Sequence, residues 1–468
     1  MRVVFVHGWS VTNTDTYGGL PDALRLHAPR DMDLTVDHLY LGKYVSFSDE
    51  VMVDDIARGM EAAVRAEVVP RLAKGERFAC ITHSTGGPVV RAWIHLFYGT
   101  ALAKCPLGHL IMLAPANHGS ALAQLGKGKL ARMKFFAGGV EPGVGVLDWL
   151  ELGSEQSWAL NLAWMDYDLT GAGLYSFVLT GQSIDRSFYD NLNSYTDEAG
   201  SDGVVRVAGA NMNYGLIRLE QQDSGFKLQK QGLSSGVALG VLPGLSHSGE
   251  DMGIMRSVRA SDDGKHPTLA AALRCLAVGS ARSYRDSVKY FAGVTEATQQ
   301  AEHKSTHKGM FLFKRTFTTS RYFMLVFRVR DDRGNVLSDY DITFTAGPEY
   351  DPNHLPPGFF IDRQRNKRSP GKLSYYLDYD VMAPWFEKPE LQDCFGFRIS
   401  ARPDEGYAFY TVGEHRGKYS ALAKFFAANQ TVMVEVVLKR QVMEGVFRLT
   451  PSLVPEDFRK QPRGAPIS

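Results

Sequence analysis

The sequence predicts an α/β layer on a mostly parallel sheet, followed by a separate antiparallel β domain of sandwich type. Three observations carry this. Up to about Ala281, short apolar runs alternate with helical patterns, as a parallel sheet with crossover helices requires. Between about Asn117 and Gly171 the alternation breaks into a stretch too long for a plain connection and too apolar for a disordered linker. Beyond Ala281 a polar stretch ends near Gly309, and aromatic, alternating runs follow. The expected units are an α/β domain over 1–285 with an insertion at about 119–171, a linker over 286–309, and a β-rich domain over 310–468.

Taken in order, Arg2 to Val6 is β-branched and aromatic and reads as a buried strand, and Leu34 to Leu41 as a second. Ile56, Met60, Val64, Val68 and Leu72 share one helical face, with Ser46 and Ser48 as candidate caps and Pro70 expected to kink the end. "RFACIT", Arg77 to Thr82, is an apolar strand, and Pro88 opens a helix over "PVVRAWIHLFYG". His109 to Pro115, Leu174 to Gly181 and Asp202 to Val207 read as further strands, and "HPTLAAALRCLAV" as a closing helix. The later strands run from "MFLFKRTF" through "YFMLVFRVRD", "YDITFTAG", "KLSYYLDYDV", "FGFRISARP", "YAFYTVG" and "TVMVEVVLKRQV" to "VFRLTPSL". "DDRGN" marks a turn between two of them.

Composition narrows the function classes. The 468 residues are 44% hydrophobic and 22% charged, ordinary for a globular protein. Lys plus Arg is 52 against 51 for Asp plus Glu, so nucleic acid, which needs a basic face, is not an expected partner. Cys80, Cys105, Cys275 and Cys394 are scattered without metal-ligand spacing and fit free thiols in a reducing compartment. Only four apolar residues stand between Arg2 and His7, too few for a signal-peptide core. The expected location is the cytoplasm of the producing cell, with any export by a leaderless route.

Chemistry concentrates at "THSTGG". Ser84 lies between a strand ending at Thr82 and a helix starting near Pro88, where a sharp turn can present a nucleophile between small neighbours. The usual first glycine of that turn is Thr82 here. Acyl transfer then needs two amides aimed at the oxyanion, and the candidates are the backbone N–H groups of Trp9, in "VHGW", and Thr85. A base must come late in the chain, with its orienting carboxylate before it. Asp202, in "GSDGVV", and His247, in "GLSHSGEDMG", stand in that order. Asp185, Asp190 and Asp197 are rival carboxylates, and His266 is the alternative base. His83 is expected to point away from the site and to pack.

These segments, with "APANHGS", resemble the α/β-hydrolase lipases of the lecithin–cholesterol acyltransferase-like and GPI inositol-deacylase-like type, over about residues 1 to 280. Bacterial phospholipases delivered as type VI secretion effectors share the pattern. The resemblance implies that His118, in "APANHGS", shapes the site and is not the base. It gives the insertion, with Trp149, Trp158 and Trp164, the meaning of an apolar lid that opens at a lipid surface, against plain core.

The function expected is a serine lipase or phospholipase acting on acyl esters of membrane lipids through Ser84, His247 and Asp202. The alternatives are a carboxylesterase, thioesterase or acyltransferase on soluble substrates, or an inactive binding module on the same scaffold. No cofactor and no metal are expected; calcium at Glu250 and Asp251, or a metal on His303 and His307, stands against the simpler reading of solvated side chains. The effector resemblance implies a secretion apparatus and a cognate immunity protein as partners. For the β domain, aromatic runs such as "LSYYLDYDV" suggest membrane or partner docking, against sandwich core.

Overall fold

The computed structural model describes residues 1–7, 17–40, 48–125, 143–184, 198–223, 225–308, 314–318, 320–444 and 459. Trp9, Ser46, Asp185, Asp190, Asp197, the middle of the expected lid (126–142) and the last expected strand (446–453) lie outside them.

Two sheets organise the chain. The first has six strands in the order β2-β1-β3-β4-β5-β8: β1 (Arg2–His7), β2 (Thr35–Tyr40), β3 (Phe78–His83), β4 (Leu107–Leu113), β5 (Tyr175–Thr180) and β8 (Ala238–Val241). Every neighbouring pair is parallel. Such strands are buried on both faces and need continuous apolar runs, and β4 is buried at every residue. Helices α1 (Leu20–His27), α2 (Val53–Ala63) and α3 (Gly86–Tyr98) follow the first three strands in turn.

The single helix expected to carry Ile56 through Leu72 stops earlier. After α2 the turns widen over Val64–Val68 and tighten over Val69–Arg71. Pro70 supplies no N–H and its ring crowds the preceding turn, so the ladder deforms just before it. Asp55, not a serine, caps the start by accepting the Met52 N–H at 2.9 Å.

The expected lid tryptophans belong to the core. Trp149 lies on α4 (Val144–Leu150), and Trp158 and Trp164 on α5 (Glu155–Trp164); all three are buried. They pack with α3 and with Met324 and Val326 of the second sheet, so they present no apolar face to solvent.

Asp202 to Val207 is not a strand. A lone bridge joins Ser201 to Arg206, and the chain turns into the single helical turn α6 (Val207–Ala210). The side chain of Asp202 accepts the N–H groups of Val204 and Val205, which closes a turn in place of a ladder.

The second sheet has nine strands in the order β12-β15-β17-β7-β6-β18-β11-β14-β13. Two come from the first part of the chain: β6 (Tyr214–Gln222) and β7 (Gly225–Ser234). The others are β11 (Tyr322–Asp331), β12 (Tyr340–Ala346), β13 (Phe360–Arg365), β14 (Lys372–Asp378), β15 (Cys394–Ala401), β17 (Gly413–Lys418) and β18 (Thr431–Leu438). It is mixed and not purely antiparallel, because β18 runs parallel to both β6 and β11. "YAFYTVG" supplies only β16 (Ala408–Tyr410), which pairs with β19 (Arg440–Val442) in a separate ribbon. The docking aromatics are largely core: Tyr375 and Tyr376 are buried, while Tyr407 is exposed.

Helix replaces the expected linker over most of its length. The "HPTLAAALRCLAV" segment forms α7 (Pro267–Leu276), and α8 (Ala281–Glu302) then lies along β8, the edge strand of the first sheet. Phe291 of α8 packs so close that a Cβ on Gly240 of β8 would stand 2.8 Å from its ring. Among the described residues, no helix is long and apolar enough to cross a membrane.

Candidate active site

Ser84 sits where β3 hands over to α3. Its φ is +52°, a left-handed conformation that a non-glycine residue adopts only when its surroundings impose it. They do so on both sides: the Ser84 N–H donates to the Leu113 carbonyl at 3.0 Å, and its own carbonyl accepts from Gly87 at 3.3 Å and Ala116 at 3.4 Å. Glycine at 87 is needed for that closeness, because a Cβ there would lie 2.9 Å from Pro115. Thr82, where the usual pattern has glycine, is fully buried and accommodated. The result is a half-buried hydroxyl at the carboxyl end of a central strand.

His247 and Asp202 converge on it from loops. His247 Nε2 lies 3.1 Å from Ser84 Oγ, and its Nδ1–H donates to Asp202 Oδ2 at 2.9 Å. With Nδ1 protonated, Nε2 is free to accept the serine proton. The His247 N–H also donates to the Asp202 carbonyl at 2.9 Å, so the two loops are tied by backbone as well. Asp202 is wholly buried, and its other oxygen accepts Val204 at 3.0 Å and Val205 at 2.8 Å. These bonds fix the direction of the carboxylate.

The Thr85 N–H, at the amino end of α3, makes no hydrogen bond among the described residues. Trp9, the other expected oxyanion donor, lies outside them.

The rival histidines are engaged elsewhere. His266 caps α7: its Nδ1 accepts the Thr268 N–H at 3.2 Å and its Nε2–H donates to Ser257 Oγ at 3.0 Å. Both of its nitrogens are thus engaged at the start of α7, whereas His247 is the imidazole beside Ser84. His118 is buried; its Nδ1 accepts from Asn161 at 3.2 Å, and burial with nearby Arg91 pushes its pKa down to about 3. His303 follows the last residue of α8 and His307 lies in β9 (Lys304–Lys308), so the two do not share a helical face. Glu250 pairs with Arg256 at 3.5 Å. Among the described residues, no three of His, Cys, Asp and Glu gather around a point that could hold a metal.

Two supports carry no motif. His83 does not point away: its Nε2–H donates to the His247 carbonyl at 3.1 Å, with the two rings 4.7 Å apart. Burial and the neighbouring imidazole hold His83 well below the usual histidine pKa, so it acts as a neutral strut. The second support is Arg206, four residues beyond Asp202. Its guanidinium is buried over the Tyr376 ring at 4.1 Å and bonds Glu198 at 2.5 Å and Asp362 of β13. Tyr376 in turn donates to the Ala199 or Gly200 carbonyl at 3.2 Å. A Cβ on Gly200 would stand 2.2 Å from the Tyr322 ring. The loop holding Asp202 therefore rests on the second sheet. The only sequence signal was an arginine inside the apolar run "DGVVRV".

No family model matches the chain, and no curated protein does. Among solved structures, phospholipase PlaB from Legionella pneumophila is 52% identical, with a TM-score of 0.92, covering 100% of this chain and 99% of its own. PlaB in complex with thio-NAD gives 50% identity and a TM-score of 0.90 over the full length of both chains.

Proposed function

The chain belongs to the phospholipase PlaB family, and on that premise we propose that it is a serine phospholipase cleaving acyl esters of membrane lipids. The observation that carries the reading is the hydrogen-bonded line from Ser84 Oγ through His247 to buried Asp202, starting from a strained turn.

In this reading Ser84 Oγ attacks the ester carbonyl as His247 Nε2 takes its proton. Asp202 holds the tautomer and stabilises the imidazolium without itself taking the proton. The Thr85 N–H is the donor this reading assigns to the developing oxyanion, where such donors gain most, with the Trp9 N–H as the second donor expected from sequence. Collapse expels the alcohol, a lysolipid, which leaves with the proton from His247. Water, deprotonated by the same imidazole, then releases the fatty acid and restores Ser84. Each step draws only on groups of this chain and water.

Incubation with phosphatidylglycerol vesicles is expected to yield fatty acid and lysolipid. Ser84→Ala should lower turnover by roughly a thousandfold or more, and Asp202→Asn by roughly 10³–10⁴. A fluorophosphonate probe should label wild type and not Ser84→Ala. Brisk turnover of short soluble esters with no release from any phospholipid would replace this reading with a carboxylesterase. An antibacterial role, with an inhibitor protein in the producing cell and a secretion apparatus, rests on the sequence resemblance alone. A nicotinamide dinucleotide is also proposed as a ligand, from the complex of the 50% identical relative, and equilibrium binding of thio-NAD tests it.

A further inference from the structure

The second sheet encloses a cavity that the proposed chemistry does not use. Its strands β17 and β7 run parallel but pair only at Glu414 and Gly225, and beyond that point the ladder is open. Between them lies a space of about 340 Å³. It is on the face turned away from the catalytic layer: Ile217, Leu325 and Val434 line it, while Leu216, Met324 and Met433, their neighbours in the same strands, pack toward α3.

The lining has one chemical character. Its walls are aliphatic and aromatic, and the polar side chains among them are Gln231, His415, Lys418 and Lys424. No carboxylate is among the described residues of the wall. Both lysines are exposed, and among the described residues neither ammonium is within ion-pair distance of an acidic group; Lys418 Nζ donates instead to the Gln392 carbonyl at 2.5 Å. An apolar hollow with two cations at its edge selects an apolar body with one negative end. Size narrows this further. A space of about 340 Å³ is at the small end for a ligand pocket, with room for one medium-length acyl tail and not two.

We propose that this cavity binds the tail of a single-chain anionic lipid, with Lys418 and Lys424 receiving its head. The proposal rests on the phospholipase reading only for its source, since ester cleavage releases both a fatty acid and, from an anionic phospholipid, an anionic lysolipid. Leu228, 47% exposed, stands at the mouth.

The test uses the full chain, titrated by calorimetry with laurate and, in a second arm, with 1-lauroyl-lysophosphatidylglycerol, each below its micellar concentration. One molecule per chain is expected to bind in at least one arm, and the arm that binds names the source. Leu228→Glu, and the double variant Lys418→Glu with Lys424→Glu, should each weaken that binding at least tenfold. Dodecanol, with the same tail length and no charge, should bind at least tenfold more weakly than the acid. Each variant is checked for a cooperative melt; if Leu228→Glu fails it, the double variant at exposed positions decides. No binding in either arm, or unchanged affinity in every folded variant, overturns the proposal. Lipid bound as expected by a chain that hydrolyses no ester would overturn the phospholipase reading and leave this site standing.

Discussion

One face of the nine-stranded sheet presses Tyr214, Leu216, Met324, Val326 and Met433 into a core shared with the parallel layer. The opposite face turns Ile217, Leu219, Leu325, Phe327 and Val434 into a core of its own, with a hollow left in it. Strand alternation makes both possible, by sending successive residues of the same strands to opposite faces. The β-rich region is thus joined to the parallel layer through one face, and its other face builds a separate core.

Deleting the later strands removes the shared face altogether. Without residues 310–468, β6 loses its partner β18, and the buried face of Trp158 loses Met324 and Val326. Residues 1–309 alone are expected to show no cooperative melt and no fluorophosphonate labelling. A folded, labelled fragment would mean that the near face is only a docking surface.

Arg206 tests the same seam at one side chain. It is 2% exposed, whereas its partners Glu198 and Asp362 keep 21% and 30% of their side chains in contact with solvent. Arg206→Met removes a buried cation whose carboxylates can rehydrate, so the loss should fall at the low end for a broken buried pair, about 3 kcal/mol. Because the same loop holds Asp202, turnover should fall while KM changes little, and Arg206→Lys should restore part of both. Unchanged melting and turnover in Arg206→Met would show that Asp202 is held without the second sheet.

The site was legible in sequence to the extent that each part carries a local signature. A serine between strand and helix, an Asp-Gly turn and a loop histidine follow one another in the order the fold uses, and the structure brings Ser84, Asp202 and His247 within hydrogen-bonding distance in line. What holds them was not legible. The strand β6 pairs with β18, more than 200 residues later, and no local pattern announces a partner at that distance. Helix α8 was read as linker because much of its buried face is polar. Thr295 satisfies Val241 and Leu239 of β8, and Gln299 bonds Gln182 and Asn429, so hydrogen bonds stand where an apolar stripe was sought. The tryptophans of α4 and α5 were ambiguous for the converse reason. An apolar stretch looks alike whether it opens onto lipid or closes against a second sheet.

The smallest effect separates the two faces by acid. His118, against Tyr214 at the near seam, has its pKa pushed down to about 3 by burial and by Arg91, while in the unfolded chain it titrates near 6.5. Between those values the unfolded chain binds a proton that the folded chain refuses. Stability is therefore whole above pH 6.5 and falls as pH drops, by about 1.4 kcal/mol per unit for this one group. His415, on the far face, is lowered by burial alone, so its share should be smaller. Denaturant titrations at pH 7.0 and 5.5 are expected to show acid destabilisation that His118→Gln reduces by about 1 kcal/mol, with His415→Gln reducing it less. A larger relief at His415 would move the acid-sensitive seam to the face that carries the cavity.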